Sequence, residues 1–155
     1  MALIVADRHS DTARELMREY MTITQQESFG TTELPPALDA ECEAAESVYA
    51  HPGAWFVAYE GAAGVGCVGV RPVPSRPGVA EIKRLYVRPS HRGTGLARDL
   101  MAVAHQHAAE TFQTIALDVD PHRQHVVDFY RRLGYRVAPP PPENPYHMVF
   151  LEFDL

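Results

Sequence analysis

Hydrophobic residues recur along this chain first at helical spacing, then at strand spacing, and later at helical spacing again. Residues 3–5 read as a short strand. Ser10 or Asp7 stands where a helix cap belongs, and Ala13, Leu16 and Tyr20 give the buried face of a helix reaching about Met21. The polar stretch 22–32 reads as a connection. Pro35 and Pro36 open a second helix through Leu38, Cys42, Ala45 and Tyr49, which ends before His51-Pro52-Gly53. The outer face of that helix is acidic, with Asp39, Glu41, Glu43 and Glu46.

Beyond it the spacing shortens. Residues 55–60, 64–70 and 80–87 predict successive strands of an antiparallel meander, with a turn at Gly61 and with Pro72, Pro74, Pro77 and Gly78 filling the second connection. Residues 95–112 carry Leu96, Leu100, Val103, Ala104, His107, Ala108 and Thr111 at three-and-four spacing and predict a long amphipathic helix. A strand over 114–119 follows. Val126, Phe129, Tyr130 and Leu133 make another helical stripe, stopped at Gly134. Residues 135–138 and 147–153 close the pattern as two strands around the proline tract 139–142. The pattern predicts one α/β domain over residues 1–155, built on a mixed, mostly antiparallel sheet.

At 155 residues the chain has the size of one domain, able to bury roughly 68–70% of the surface its unfolded form exposes. A net charge of −6 excludes a nonspecific nucleic-acid binder, whose footprint is a basic surplus. The charge is unevenly spread: residues 1–60 hold three basic and eleven acidic side chains, whereas residues 61–155 hold eleven and nine. Cys42 and Cys67 fit neither a CxxC nor a metal-ligand spacing, so the thiols point to a reducing cytoplasmic setting. The apolar run 2–6 is interrupted by Asp7 and Arg8, which leaves it too short for a signal peptide or a membrane span. Among eight histidines, His105 and His107 point apart on one helix, and His122 and His125 lack a third ligand, so no metal is expected.

The chemistry concentrates in residues 87–97, where a strand ends, turns through Gly93 and Gly95, and enters the long helix. Glycine permits unusual backbone angles and close approach, and a helix N-terminus presents free N–H groups with partial positive charge, which together suit a pyrophosphate. Neither GxxxxGK[ST] nor GxGxxG is present, since Arg98 stands where the latter needs its third glycine. A lone GxG is equally an ordinary turn. Residues 81–99, however, hold Lys83, Arg84, Arg88, Arg92 and Arg98 against only Glu81 and Asp99, which favours an anion site.

Arg92-Gly93-Thr94-Gly95-Leu96-Ala97 resembles the acetyl-coenzyme A loop of the GCN5-related N-acetyltransferases, Gln/Arg-x-x-Gly-x-Gly/Ala. Residues 81–89 resemble the family's central strand, Phe129-Tyr130-Arg131-Arg132-Leu133-Gly134-Tyr135 its aromatic-Tyr-x-x-x-Gly-aromatic signature, and residues 148–152 its last strand. The first two helices match only in placement. The resemblance implies a sheet of about six or seven strands flanked by about four helices, and an acetyl-coenzyme A dependent transfer of an acetyl group to a primary amine of a small acceptor. It also implies roles. Backbone groups of Leu85, Tyr86 and Val87 would hold the pantetheine arm and acetyl carbonyl, and Arg92, Gly93, Thr94, Gly95, Leu96 and Ala97 the pyrophosphate. Tyr130 would be the general acid, its alternative being a core tyrosine; Glu81 would take the amine's proton through water, its alternative being an ion pair with Lys83.

One position departs from the family pattern. The asparagine that often lies seven residues before the tyrosine is here Arg123, which would reach the cofactor's phosphates or stay exposed. An acidic segment facing a basic cofactor half would favour cationic acceptors. The expected partners are thus a small-molecule amine and no nucleic acid or membrane, with the chain acting as a monomer or homodimer. The rival from another class is a noncatalytic acyl-coenzyme A sensor or scaffold on the same fold.

Overall fold

The computed structural model describes residues 1–142 and 147–155. The chain runs through β1 (Leu3–Ala6), α1 (Asp11–Phe29), α2 (Pro36–Glu43), α3 (Ala45–Val48), β2 (Ala54–Glu60), β3 (Ala63–Pro72) and β4 (Val79–Val87). A short 3-10 turn, Pro89–His91, then leads into α4 (Leu96–Ala108), β5 (Thr114–Val119), α5 (Gln124–Arg132), β6 (Arg136–Ala138) and β7 (Val149–Asp154). Seven strands form one sheet in the order β1-β2-β3-β4-β5-β7-β6. Every neighbouring pair is antiparallel except β4 and β5.

Strand alternation divides the core between the two faces. Trp55 and Val57 of β2 pack with Leu16, Met17 and Met21 of α1 and with Cys42 and Tyr49. Ala54, Phe56 and Ala58 point the other way, toward Leu100, Met101 and Ala104 of α4 and Val127 and Tyr130 of α5. The glycines of β3 let the α3 side approach closely: a Cβ on Gly69 would lie 2.8 Å from the Trp55 ring and would run into Tyr49.

Three helices differ from expectation, and one of them, α4, ends at Ala108 instead of reaching residue 112. Ser10 does cap α1, accepting a hydrogen bond from the Ala13 N–H at 3.1 Å. The helix then continues through the polar stretch to Phe29 and ends at Gly30 in the left-handed region, φ 69°. Nothing before Gly30 breaks a helix there, and Thr24 satisfies its hydroxyl on the Tyr20 and Met21 carbonyls. The second helix is in turn broken in two at Ala44, whose φ of −99° and ψ of 18° leave the helical region.

Two irregularities in the sheet prepare a site. On β3 and β4, Cys67 pairs with Tyr86 and Gly69 with Lys83, so two steps on one strand match three on the other. The extra residue is a β-bulge, and within it Arg84 has φ 59°. Beside it, β4 and β5 pair only over Val79–Thr114, Ala80–Ile115 and Glu81–Ala116. Past these residues β5 keeps its pairing with β7 while β4 stays with β3, and the two strands part.

Candidate active site

The parting opens a cleft of about 1220 Å³. Residues 82–87 of β4 form one wall and Leu117, Asp118 and Val119 of β5 the other. The last turns of α1, with Tyr20, Ile23, Glu27 and Phe29, cover one side; Val126, Phe129 and Tyr130 of α5 cover the opposite side. The polarity of 22–29 thus reflects a cleft wall rather than a connection.

At the mouth lies the glycine turn. Gly93 and Gly95 have φ 76° and 89°, values that favour glycine, and a Cβ built on either would meet nothing within 4 Å. Open space therefore stands over both. Gly95 caps α4, whose first intrahelical hydrogen bond is from the Asp99 N–H to the Gly95 carbonyl. The N–H groups of Leu96, Ala97 and Arg98 lie before that bond and lack intrahelical acceptors. Arg92 lines the cleft and spends its Nε on the Val87 carbonyl at 3.1 Å, which fixes the guanidinium in place. Thr94 braces the loop through a 2.6 Å bond to the His91 carbonyl. His91 Nε2 in turn reaches Glu60 at 2.6 Å, tying the turn to the end of β2. Free helix-end donors, unobstructed glycines and an oriented arginine fit a diphosphate.

Tyr130 is buried, 6% exposed, with its ring edge-on to Phe129 at 5.2 Å and to Tyr135 at 5.5 Å. Among the described residues no protein group hydrogen-bonds its hydroxyl, and the side chain borders the cleft. Burial pushes the phenol well above its ordinary value; Tyr20 and Asp118 add to the rise and Arg123 opposes it. At neutral pH the phenol is protonated. The side chain of Tyr86 is packed against Tyr20 at 5.9 Å, and its phenol is pushed up to about 12 by burial and by the Glu19 carboxylate.

Of the residues singled out in the sequence, the cleft brings together Leu85, Tyr86, Val87, Arg92, Gly93, Ala97, Arg123 and Tyr130. Thr94, Gly95 and Leu96 stand just outside the lining, and the Leu96 side chain is part of the core. Arg123 is the N-cap residue of α5. Among the described residues its Nε is buried without a hydrogen-bond partner, and the Glu27 carboxylate lies 3.7 Å away. Glu81 does not line the cleft: its carboxylate is held by Arg71 Nε at 2.5 Å, rather than by Lys83. Lys83 Nζ instead lies 3.5 Å from Asp118.

The acidic helix brings Leu38 to the cleft but none of its carboxylates. Asp39 and Glu43 pair with Arg18 at 2.6 and 3.1 Å, and Glu46 lies 3.4 Å from His9. Glu41 turns inward and accepts from Arg84 Nε at 3.0 Å, Arg84 Nη2 at 2.9 Å and the Tyr49 hydroxyl at 2.9 Å. Neither these four residues nor Glu33 border the cleft, and the carboxylate that segment 1–60 brings to it is Glu27 of α1. The helix was amphipathic in an unforeseen direction: its spacing gave no sign that one carboxylate would be matched to an arginine 43 residues away. Asp118 and the last turns of α1 were also missed. Position after a break in strand pairing is their signal, and pairing is not visible in sequence.

Among the described residues, no group of three or more His, Cys, Asp or Glu side chains is arranged to hold a metal ion, and no helix is long and apolar enough to cross a membrane.

Residues 12–135 match the Acetyltransferase (GNAT) family, and the chain belongs to it. Over 92 residues it is 34% identical to the uncharacterized N-acetyltransferase YjgM of Escherichia coli strain K12, a match covering 57% of this chain and 54% of that protein. The chain thus spans about half the length of this curated relative. In three dimensions it is similar to a GNAT-family acetyltransferase of Staphylococcus aureus Mu50, with a TM-score of 0.81, 16% identity and 99% of each chain covered. It is also similar to an aminoglycoside 6'-N-acetyltransferase complexed with coenzyme A, with a TM-score of 0.71, 19% identity, and 98% and 96% of the chains covered.

Proposed function

We propose that the cleft binds acetyl-coenzyme A and that the protein is an N-acetyltransferase acting by direct transfer to an amine. The observation that carries this reading is the open edge of β4 leading from the glycine turn to the unpartnered hydroxyl of Tyr130. The turn offers N–H donors and Arg92 to the diphosphate. Past Glu81 the β4 backbone has lost β5, so the polar groups at 85–87 that face away from β3, apart from the Val87 carbonyl held by Arg92, are open to an extended polar chain and a thioester carbonyl. The bound donor supplies an activated acetyl group.

The chain's own residues then have distinct tasks. Backbone donors of β4 polarise the carbonyl as its oxygen gains charge. Tyr130 gives its proton to the departing sulfur; burial keeps the phenol protonated but weakens it as an acid, so the proton moves as charge develops on the sulfur. Glu81 is occupied by Arg71, and the proton-accepting role passes to Asp118, which shares the cleft with Lys83 and can take the amine's proton through water. Buried Arg123 Nε lies where the family pattern has an asparagine and serves as a further donor to the acyl donor.

A panel of neutral, cationic and anionic amines with acetyl-coenzyme A, read by thiol release, tests the proposal. Release that depends on an amine supports it. Tight coenzyme A binding with no amine-dependent release across the panel indicates a sensor instead.

A further inference from the structure

Arg84 is a non-glycine residue at φ 59° inside a strand, a conformation that L-residues avoid and that persists only when surroundings enforce it. The enforcement is visible. Its guanidinium is gripped in a two-point contact by Glu41 of α2, at 3.0 and 2.9 Å. Both side chains are largely withdrawn from solvent, with exposures of 16% for Arg84 and 9% for Glu41. Glu41 is fixed in turn by the Tyr49 hydroxyl at 2.9 Å and by Arg71 at 3.4 Å, and Arg71 by Glu81 at 2.5 Å. From the other side the Cys67 thiol meets the Arg84 carbonyl at 3.5 Å. The bulge that this residue makes determines which backbone groups of 84–87 face the cleft.

We propose that Glu41 is a positioning residue: through Arg84 it pins the β4 bulge and thereby pre-sets the backbone donors that meet the acyl donor. The proposal rests on the acyl-transfer reading of the cleft and adds a residue that never touches substrate. Fixed donors cost no reorganisation at the moment of reaction, which is why a distant carboxylate affects rate.

Glycine distinguishes pinning from mere stability, because it adopts positive φ freely. Glu41→Ala/Arg84→Gly and Glu41→Ala/Arg84→Met remove the same buried pair and leave no orphaned charge. Only the glycine variant keeps the bulge without its pin. The expected result is kcat/KM for acetyl-coenzyme A about tenfold higher in the glycine variant than in the methionine variant, while KM for the amine differs by less than about twofold. Backbone chemical shifts of residues 83–86, measured by NMR on the free proteins, should show the left-handed residue retained with glycine and lost with methionine. Equal shifts in the two double variants, or equal kcat/KM with a wild-type protein that does transfer acetyl groups, would overturn the role of Glu41. Should wild type neither bind coenzyme A nor release thiol, the acyl-transfer reading fails, and the shifts still decide whether the pin exists.

Discussion

Arg71 and Glu81 face each other across the β3–β4 ladder, their Cα atoms in register and their side chains joined at 2.5 Å. That pairing occupies the Glu81 carboxylate with Arg71. Glu81→Gln should lower stability by about 1 kcal/mol, a fall in Tm of about 2–4 °C, while thiol release stays within about twofold of wild type. A scan of thermal unfolding beside a rate assay checks both, and a rate loss above a hundredfold would return Glu81 to the proton-accepting role.

Tyr130→Phe removes one hydroxyl from a ring that also packs. Coenzyme A affinity by calorimetry should be retained while turnover falls by about 10²- to 10⁴-fold. Because burial holds the phenol above its ordinary value of about 10, the acid form persists across the working range. The wild-type rate should therefore show no alkaline decline up to about pH 10. A descending limb centred at or below that value would mean that water reaches the phenol.

Gly95 sits at φ 89° with empty space where a Cβ would go. Gly95→Val strains the backbone by about 1–2 kcal/mol or more and fills the space over the turn. Coenzyme A affinity should fall at least tenfold in a variant whose circular dichroism is unchanged. Unaltered affinity in the folded variant would move the diphosphate elsewhere.

Glu41 carries a pH signature. Burial alone would raise its carboxyl, but Arg84, with Tyr49 and Arg71, holds it below the usual value. A depressed folded value means that the contribution is present above the unfolded value of about 4.3 and is lost as pH falls through the lower folded one. Glu41→Gln should therefore be less stable than wild type by about 3 kcal/mol between pH 5 and 8, with the gap narrowing below about pH 4. Parallel urea titrations at several pH values measure it.

What the chain revealed in advance was local. The turn 92–97 and the run 129–135 are contiguous, so their glycines and aromatics announce themselves, and the alternation at 114–119 placed β5 to the residue. What stayed hidden depends on tertiary partners. The end of α1 is polar because it borders a cleft, and polarity alone reads as a loop. Glu41 looked like a solvated helix face until α2 was laid against the sheet. Arg84 gives no hint of positive φ, since the residue type that usually marks one is glycine.

The parting of β4 and β5 also has a bearing on how the protein avoids its own kind. An unbonded strand edge normally invites a strand from another molecule, and proteins guard such edges with charge, bulges or covers. This one lies in the middle of the sheet, bulged at Arg84 and roofed on one side by the end of α1 and on the other by α5. A strand from another molecule would have to enter between those covers to pair with it. The feature that leaves backbone groups available is thus both bulged and covered on two faces, which are devices by which proteins keep an unpaired strand from recruiting another.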